Sequence, residues 1–485
     1  MSKPVAAFVP RLNQVALSVV DLRLTERWFR EGLGFLPAGG SRWAMRSPLA
    51  ARIQAIPKAR STCWWLVDRN EFFQLELFQF EQPMARLMPA DARPCDIGYT
   101  RIGVWVADFD ATLRQLDALG THPLAPVLGP RGDRRACVRN PDGVFVELME
   151  RDPLPAEVSS ARRGCGAALR SVTLSVPDLQ QTADFLESGL GLRETSLSLH
   201  GPEHEALWGL AGAQTQSRIF AAGGVLVEAV QYLSPQGRPR PEGYRISDQG
   251  ILNVAFGARN KKDHTEVYRR SIAAGARPNC QPIHLGGAGV VYVNDPQDFS
   301  FEILWLKPGL QDRMWGFEAL PIARRPSPDS HAIEQRIRIA ADVDSSWAIV
   351  SDHERMASWS GFDRVQLTRS GAPERNGYNA LRHMEGSPGT LQEEVIAWNP
   401  PHSYRYRVTQ GSPFVCHQGE IRLHSAGPVT ELVWTIRFRP RIPGTGALLR
   451  WILDRALRSG LHQRLKPLVE QEATTAHSRP RKLAA

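Results

Sequence analysis

Val15-Ala16-Leu17-Ser18-Val19-Val20-Asp21-Leu22, running on to Trp28-Phe29 and Gly32-Leu33-Gly34-Phe35, is written a second time as Val172-Thr173-Leu174-Ser175-Val176-Pro177-Asp178-Leu179, with Phe185-Leu186 and Gly189-Leu190-Gly191-Leu192. The aspartate precedes the second glycine by 13 residues in both copies. Each copy reads as a strand followed by a helix. A repeat of this kind fixes architecture before any local reading, and it assigns the first two thirds of the chain to duplicated small modules.

Working outward, four units precede residue 310. The first begins at Asn13 and closes with Phe72-Phe73-Gln74-Leu75-Glu76-Leu77-Phe78. The second begins near Tyr99-Thr100-Arg101-Ile102-Gly103-Val104-Trp105-Val106, with a helix from Asp110 to Leu119 that stops at Gly120. Its turn Asn140-Pro141-Asp142-Gly143 leads to the strand Val144-Phe145-Val146-Glu147-Leu148-Met149. The third runs from Ser171 to Val225-Leu226-Val227-Glu228-Ala229-Val230. The fourth opens at Ile251-Leu252-Asn253-Val254-Ala255-Phe256 and passes through Asn294-Asp295-Pro296-Gln297 to Phe299-Ser300-Phe301-Glu302-Ile303-Leu304. Residues 153–166 and 321–330 read as linkers. Beyond the second, Ile333 to Ile339 alternates as a strand, Ser345-Ser346-Trp347-Ala348-Ile349-Val350 starts a helix with serine caps, and strands continue to about Pro440. From Gly446 to Glu472, Leu448, Leu449, Ile452, Leu453, Ala456, Leu457, Leu461, Leu465 and Leu468 recur at helical spacing. Strands followed by a long C-terminal helix make an α+β domain.

Composition excludes several classes of function. A chain of 485 residues with 42% hydrophobic and 22% charged residues is an ordinary globular protein of about three domains. No apolar run reaches membrane-span length, and Met1–Phe8 lacks the apolar core of a secretory signal. The six cysteines show no C-x-x-C spacing and read as free thiols in a reducing cytoplasm. Only seven of the 59 basic residues are Lys, and the cations are spread along the chain apart from a tail, Arg479-Pro480-Arg481-Lys482. No basic stripe is interleaved with aromatics, so neither nucleic acid nor membrane is expected as a partner.

The four strand-helix-strand units resemble the vicinal oxygen chelate superfamily, which includes glyoxalase I, extradiol dioxygenases and bleomycin-resistance proteins. The carrying motifs are Val19-Val20-Asp21-Leu22 with Gly32-Leu33-Gly34-Phe35, Asn140-Pro141-Asp142-Gly143 with Val146-Glu147-Leu148, and their counterparts in the second half. Residues 329–475 resemble the polyketide cyclase/dehydrase branch of the START-like superfamily, on Ala341-Asp342-Val343-Asp344-Ser345-Ser346-Trp347, Asp352-His353-Glu354-Arg355-Met356-Ala357-Ser358-Trp359, Asn399-Pro400-Pro401-His402-Ser403-Tyr404-Arg405-Tyr406 and Thr430-Glu431-Leu432-Val433-Trp434. These resemblances imply an α+β architecture in which four βαβββ modules form two half-barrels, followed by a helix-grip domain. The expected divisions are 11–152 (modules 11–90 and 96–152), 165–310 (modules 165–235 and 245–310), 329–475 and a basic tail at 476–485.

The first resemblance also implies where a metal would sit: on the first and last strand of each module, as His or Gln and as Glu. Position by position the first pair offers Gln14, Glu76, Arg101 and Glu147, and the second offers Ser171, Glu228, Asn253 and Glu302. All four glutamates are present and no first-strand histidine is. Arg101 has no lone pair to offer and would repel a cation, so these four first-pair residues are expected to converge without metal. Glu76 and Glu147 would pair with Arg101, as a structural salt bridge or as a charged site for a carbonyl or carboxylate ligand, or a glutamate with a raised pKa would serve as a general base. In the second pair a hard divalent ion is the alternative, held by Glu228 and Glu302 with Asn253, or with His200 and His204. The plainer expectation is that these two histidines are surface loop residues, since Gly201-Pro202 between them breaks a helical pair.

The C-terminal resemblance implies an apolar cavity lined by some of Trp347, Trp359, Trp398, Trp434 and Trp451, with inward polar groups chosen from Arg382 or His383, Glu385, Glu393 or Glu394, Tyr404 or Tyr406, and His417. The expected function is a cytoplasmic enzyme that cyclises, isomerises or rearranges a small aromatic or polyketide-like molecule by acid–base chemistry. Glu147, Glu228 and Glu302 are the candidate proton carriers, and Gln14, Glu76, Arg101, Asn253, Arg382, Tyr404 and His417 the candidate ligand contacts. No cofactor is expected. The alternatives are a protein that sequesters a metabolite and a metal-dependent glyoxalase or ring-cleaving dioxygenase.

Overall fold

The computed structural model describes residues 8–155, 164–320, 325–387 and 389–478, with side chains to 475. Parts of both expected linkers and most of the basic tail lie outside the described residues. The chain divides into two compact units, at Pro326/Ser327. It is mixed α and β throughout.

The duplicated signature acquires a physical meaning at once. Asp21 caps a helix over Leu22–Arg27, its carboxylate accepting from the backbone N–H of Arg23 and Leu24; Asp178 does the same for Leu179–Asp184 through Gln181 N–H. Each helix then widens into a single π turn, over Trp28–Gly32 and Phe185–Leu190. Gly34 and Gly191 leave it in the left-handed region, both at φ +78°. The constant spacing is therefore the length of one capped helix. Asp108 and Asn260 cap the corresponding helices, Phe109–Ala118 and Lys261–Ala273.

Among the described residues the first unit forms two sheets, and their composition corrects the expected pairing of the modules. Strand Arg11–Ser18 lies antiparallel to Gly250–Ala258, with Val15 opposite Val254. Strand Gly98–Val106 lies antiparallel to Ala167–Ser175, with Ile102 opposite Val172. The first repeat thus shares a sheet with the fourth, and the second with the third. Each of these strands also pairs in parallel with the last strand of its own repeat: 11–18 with Gln74–Gln82, 98–106 with Phe145–Met149, 167–175 with Leu226–Ser234 and 250–258 with Ser300–Leu306. After its helix the second repeat has two strands, Arg135–Arg139 and Phe145–Met149, and Leu128 adds an isolated bridge to Arg135. It is shorter than the βαβββ pattern expected.

Strand alternation divides the side chains between two environments. Val15, Leu17, Val254, Ile102, Val104, Val172 and Leu174 share one core with the helix residues Trp28, Phe29, Leu116, Phe185 and Leu186. The opposite faces hold Gln14 and Ala16 in one sheet and Arg101 and Gly103 in the other. The first and second repeats, and the third and fourth, touch through their turns instead. Asp142 accepts from Val20 N–H (2.8 Å) and from the Thr25 hydroxyl. Gln297 accepts from Asp178 N–H (3.0 Å) and donates to Thr182 Oγ1 (2.6 Å).

In the second unit a fully antiparallel sheet runs in the order 331–339, 429–440, 414–426, 403–410, 389–399, 381–386 and 364–369. The helix at Val343–Val350 is capped by Asp342, which accepts from Ser345 N–H, and not by the serines. The C-terminal helix spans 446–478 with a π turn at Gly460–Leu465. Leu457, Leu461, Leu465, Val469 and Ala473, four residues apart, pack on Trp359, Tyr404, Tyr406 and Trp434. Leu448, Trp451 and Ile452, expected on the buried stripe or in the cavity, are exposed.

A chain cut after residue 155 deletes the partner strand of 11–18 and that of 98–106. It is expected to aggregate or to lack a cooperative unfolding transition, whereas residues 8–326 unfold cooperatively. A monomeric, cooperatively unfolding 1–155 fragment, seen by circular dichroism and sedimentation, would contradict this pairing.

Candidate functional site

The register places the four glutamates and four first-strand positions in two separate cups. Around Val15/Val254, Ala16 lies between Glu76 and Asn253, and Ala255 between Gln14 and Glu302. Around Ile102/Val172, Gly103 lies between Glu147 and Ser171, and Thr173 between Arg101 and Glu228. The equivalence of positions within each repeat holds. The convergence of Gln14 and Glu76 with Arg101 and Glu147 does not, and neither does that of Glu302 with Glu228, His200 and His204, because the chain closes its sheets across the repeats.

The cup of the first and fourth repeats holds a cavity of about 120 Å³. Met45, Leu49, Ile53, Phe78, Val290 and Trp315 are among its apolar walls, and Gln14, Gln74, Glu76, Tyr292 and Glu302 are among its polar groups. Gln14 Nε2 donates to Glu76 Oε2 at 2.7 Å and to Glu302 Oε2 at 3.1 Å, bridging the two carboxyl groups. Glu76 Oε1 also accepts from Trp65 Nε1 (2.8 Å) and the Cys63 thiol (3.0 Å). Burial pushes Glu76 upward and these donors oppose it. Glu302 is pushed up to about 8, first by burial and then by the Glu76 charge, with hydrogen bonds from Tyr292 and Gln14 only partly opposing. Burial, Glu302 and Glu76 hold the Tyr292 phenol well above its ordinary value. Asn253 is fully buried beside Tyr292.

As a ligand set for a metal, this cup offers two carboxylates and two amides. That is the chemistry of an oxygen-loving ion and is poor for zinc, iron or nickel, which favour imidazole. Its geometry fits even a hard ion badly. The group presented to both carboxylates is an amide nitrogen, a donor, and both oxygens of Glu76 are engaged by N–H and S–H groups. Among the described residues no group of three or more His, Cys, Asp and Glu side chains has metal-binding geometry.

The cup of the second and third repeats is filled by its own charges. His200, expected in a surface loop, has its side chain only 7% exposed and bridges Glu228 Oε1 (2.6 Å) and Glu147 Oε2 (2.8 Å). Arg101 donates to Glu228 (2.9 Å), Arg135 to Glu147 (2.8 Å) and Thr173 to Glu228 (2.8 Å). The Arg101 guanidinium lies 3.6 Å from the centre of the Trp208 ring, whose N–H is held by Glu205. Burial alone would raise both glutamates. The His200 charge and hydrogen bond, then Arg135 and Arg101, hold Glu147 far below the carboxylate range; His200 and Arg101 hold Glu228 at about 2. Burial disfavours the His200 imidazolium, yet the two carboxylates outweigh it and raise its pKa. His204 turns away, capping its own loop through Gly201 N–H (2.8 Å).

In the second unit Arg382 is fully buried and donates to Glu393 (2.8 Å through Nε) and to His353 Nδ1 (2.8 Å). His353 Nε2 binds the Asn376 carbonyl (2.9 Å), which makes Nδ1 the acceptor only if that ring is neutral with its proton on Nε2; burial and the Arg382 charge favour the neutral ring by lowering its pKa. Tyr404 and Tyr406, offered as alternatives, are both buried because residues two apart on a strand share a face. Tyr406 lies across Gly419, where a Cβ would come within 2.2 Å of the ring, and its hydroxyl accepts from Trp434 Nε1 (3.0 Å). Glu393 and Glu394 are likewise both buried, the second against Arg407. His383 is partly exposed and Glu385 exposed. His417 is buried beside Phe414 and Phe438, and burial lowers it to about 4.

Sequence reasoning passed over Cys63, Trp65 and Tyr292 in the first cup and Arg135, Trp208 and His353 elsewhere. Alternation along 60–67 was the available signal for Trp65, directly opposite Glu76, and Cys63, opposite Phe78 on the same face, and Tyr292 lies directly opposite Glu302 in the last hairpin. Arg135 lies on the strand next to that of Glu147 and was open to the same alternation argument; the Trp208 and His353 contacts come from segments remote in sequence and carried no such signal.

Residues 330–470 match the family described as polyketide cyclase / dehydrase and lipid transport. No curated protein matches the chain. Among solved structures, glyoxalase I from Zea mays is 17% identical, covering 61% of this chain and 92% of its own, with a TM-score of 0.40. A START superfamily protein from Mycobacterium smegmatis is 19% identical, covering 30% of this chain and 99% of its own, with a TM-score of 0.27. The C-terminal part of the chain is thus similar to the polyketide cyclase / dehydrase and lipid transport family.

Proposed function

We propose that this chain is an enzyme of small-molecule metabolism that isomerises, cyclises or dehydrates an aromatic or polyketide-like substrate by acid–base chemistry in the cup of the first and fourth repeats. One observation carries the reading: two carboxyl groups share the floor of an apolar cup, and their surroundings separate their proton affinities. Burial raises Glu76, and the donors on its oxygens oppose that by favouring its charged form. Glu302 holds a proton at neutral pH and faces the same cavity. It donates that proton to a carbonyl or departing hydroxyl oxygen, and the resulting carboxylate takes a proton from carbon. Tyr292 and Gln14 orient it. The exposed Trp43, next to the rim residues Ala44 and Met45, offers an aromatic face to a ring entering the cup.

Glu147 and Glu228 are unsuited to this task, since each is already spent on cations. The cup that holds them supports the fold. The aromatic interior of the C-terminal unit, with Arg382, His353 and Tyr404, supports a role for that unit in holding the same class of molecule. A second reading, sequestration of a metabolite without turnover, is favoured by the self-satisfied second cup; it predicts stoichiometric retention of ligand and no product. The donor set speaks against a dioxygenase or glyoxalase that works through iron, zinc or nickel.

Glu302→Gln is expected to lower kcat/KM on aromatic polyketide-like ketones by about 100-fold or more and to remove an inflection near pH 8 from the pH–rate profile. Metal content should not change. Stoichiometric iron, manganese or zinc in the active protein, with reversible loss of activity to a chelator, would overturn the reading.

The same substitution has a stability signature. A carboxyl whose folded pKa is raised contributes stability that is complete below its unfolded value and is lost as pH rises through the folded value, here about 8. Chemical denaturation should therefore show Glu302→Gln gaining on wild type from mildly acid pH to pH 9.

His200→Ala leaves two buried carboxylates short of a partner and is expected to cost about 3–5 kcal/mol. Because the His200 pKa is raised, its contribution is complete below the unfolded histidine value and fades as pH rises through the folded one. The deficit measured by denaturation should shrink at alkaline pH. A deficit independent of pH would refute the imidazolium bridge.

A further inference from the structure

We infer that the groove beside the first cup is an anion subsite, and that the substrate carries a carboxylate or phosphate held there by Arg52, Lys58 and Arg60. The inference rests on the first cup being the ligand site and adds the chemistry of the substrate's far end.

Three observations converge. The groove is a separate, open cavity of about 690 Å³, whose lining includes Arg46, Arg52, Lys58 and Arg60 and no acidic side chain. Arg46 is paired with Glu81. Arg52, Lys58 and Arg60 are exposed and have no ion pair or hydrogen bond from their side chains among the described residues. Three like charges lining one concavity repel one another, and a bound anion relieves that repulsion. The backbone is also shaped around the groove. Ala55 and Lys58 both sit in the left-handed region, at φ +53° and +58°, where L side chains are disfavoured. These two residues turn the chain between the short helix Pro48–Ile53 and the strand Arg60–Val67 so that Arg52, Lys58 and Arg60 line one hollow.

The groove and the cup meet at Ser47, which lines both. Helix 48–53 is their common wall: Leu49, Ala50 and Ile53 face the apolar cup, while Ala51 and Arg52 face the groove. A molecule with an apolar body in the cup thus has a cationic hollow directly beside its outer end. The cup has no cation in its lining and the groove has three unpaired ones, so the anionic end has one favourable orientation, and that orientation leaves the uncharged end beside Glu302.

The test uses the full-length chain and three ligands of one shape class: 1-naphthol, 1-naphthoate and 1-naphthyl phosphate, titrated by calorimetry at low ionic strength. Wild type should bind one or both anions at least ten-fold more tightly than 1-naphthol, and which anion is preferred separates a carboxylate from a phosphate substrate. The variant R52A/K58A/R60A, altered at exposed positions, should lose that preference while binding 1-naphthol unchanged. Ala50→Trp, which fills the cup, should abolish binding of 1-naphthol. Equal binding of all three ligands by wild type, or a preference that survives in the triple variant, overturns the subsite and leaves the cup standing. Binding of 1-naphthol that persists in Ala50→Trp, or no binding of it by wild type, removes the cup as the ligand site and the subsite with it.

Discussion

The antiparallel pairing of strand 11–18 with 250–258, and of 98–106 with 167–175, is the constraint on which the first unit depends. It joins the outer repeats to each other and the inner repeats to each other, so each sheet is completed by chain more than 60 residues away in the inner pair and more than 230 away in the outer one. A first strand buried on both faces has no tolerance for a missing neighbour, because its backbone N–H and C=O groups would lose their partners. The same pairing sets a local twofold about Val15/Val254 and about Ile102/Val172. That twofold brings two first-strand positions and two glutamates to each concave face.

The two cups show how one scaffold solves a single electrostatic problem in two ways. A carboxylate taken out of water needs a cation, hydrogen bonds or a proton. In the inner cup Arg101, Arg135 and His200 supply positive charge, and the site closes on itself. In the outer cup no cation lines the cavity. Hydrogen bonds stabilise Glu76, and Glu302 is left to hold a proton. Two arginines and the histidine after Leu199 separate the filled cup from the open one.

The second unit applies a related rule. Its long helix lays Leu457, Leu461, Leu465, Val469 and Ala473 over the sheet, the four-residue spacing matched by the π turn at 460–465. Gly446 lets the start of that helix approach His331, where a Cβ would come within 2.1 Å of the imidazole. In the same unit Arg382, Glu393 and His353 form a buried chain in which the one formal charge pair is complete and the histidine is neutral. Aromatic rings around that chain exclude water and strengthen it.

Much of this was legible in the sequence because it is local. The aspartate-to-glycine spacing is the length of a capped helix, strand alternation follows from backbone geometry, and the four glutamates occupy equivalent positions within their own repeats. The long C-terminal helix, too, is written in its apolar spacing. What only the tertiary structure decided is which repeat faces which. All four first strands present similar apolar alternation, so nothing local favours a neighbour over a distant partner, and the choice rests on how both sheets bury one shared core. That choice moved Arg101 out of the cup of Gln14 and Glu76, brought Asn253 and Glu302 in, and carried His200 from an expected loop to the space between Glu147 and Glu228. Charge compensation acts between side chains that folding brings within about 3 Å, whatever their separation along the chain, and so the chemistry of each cup could be set only by the fold.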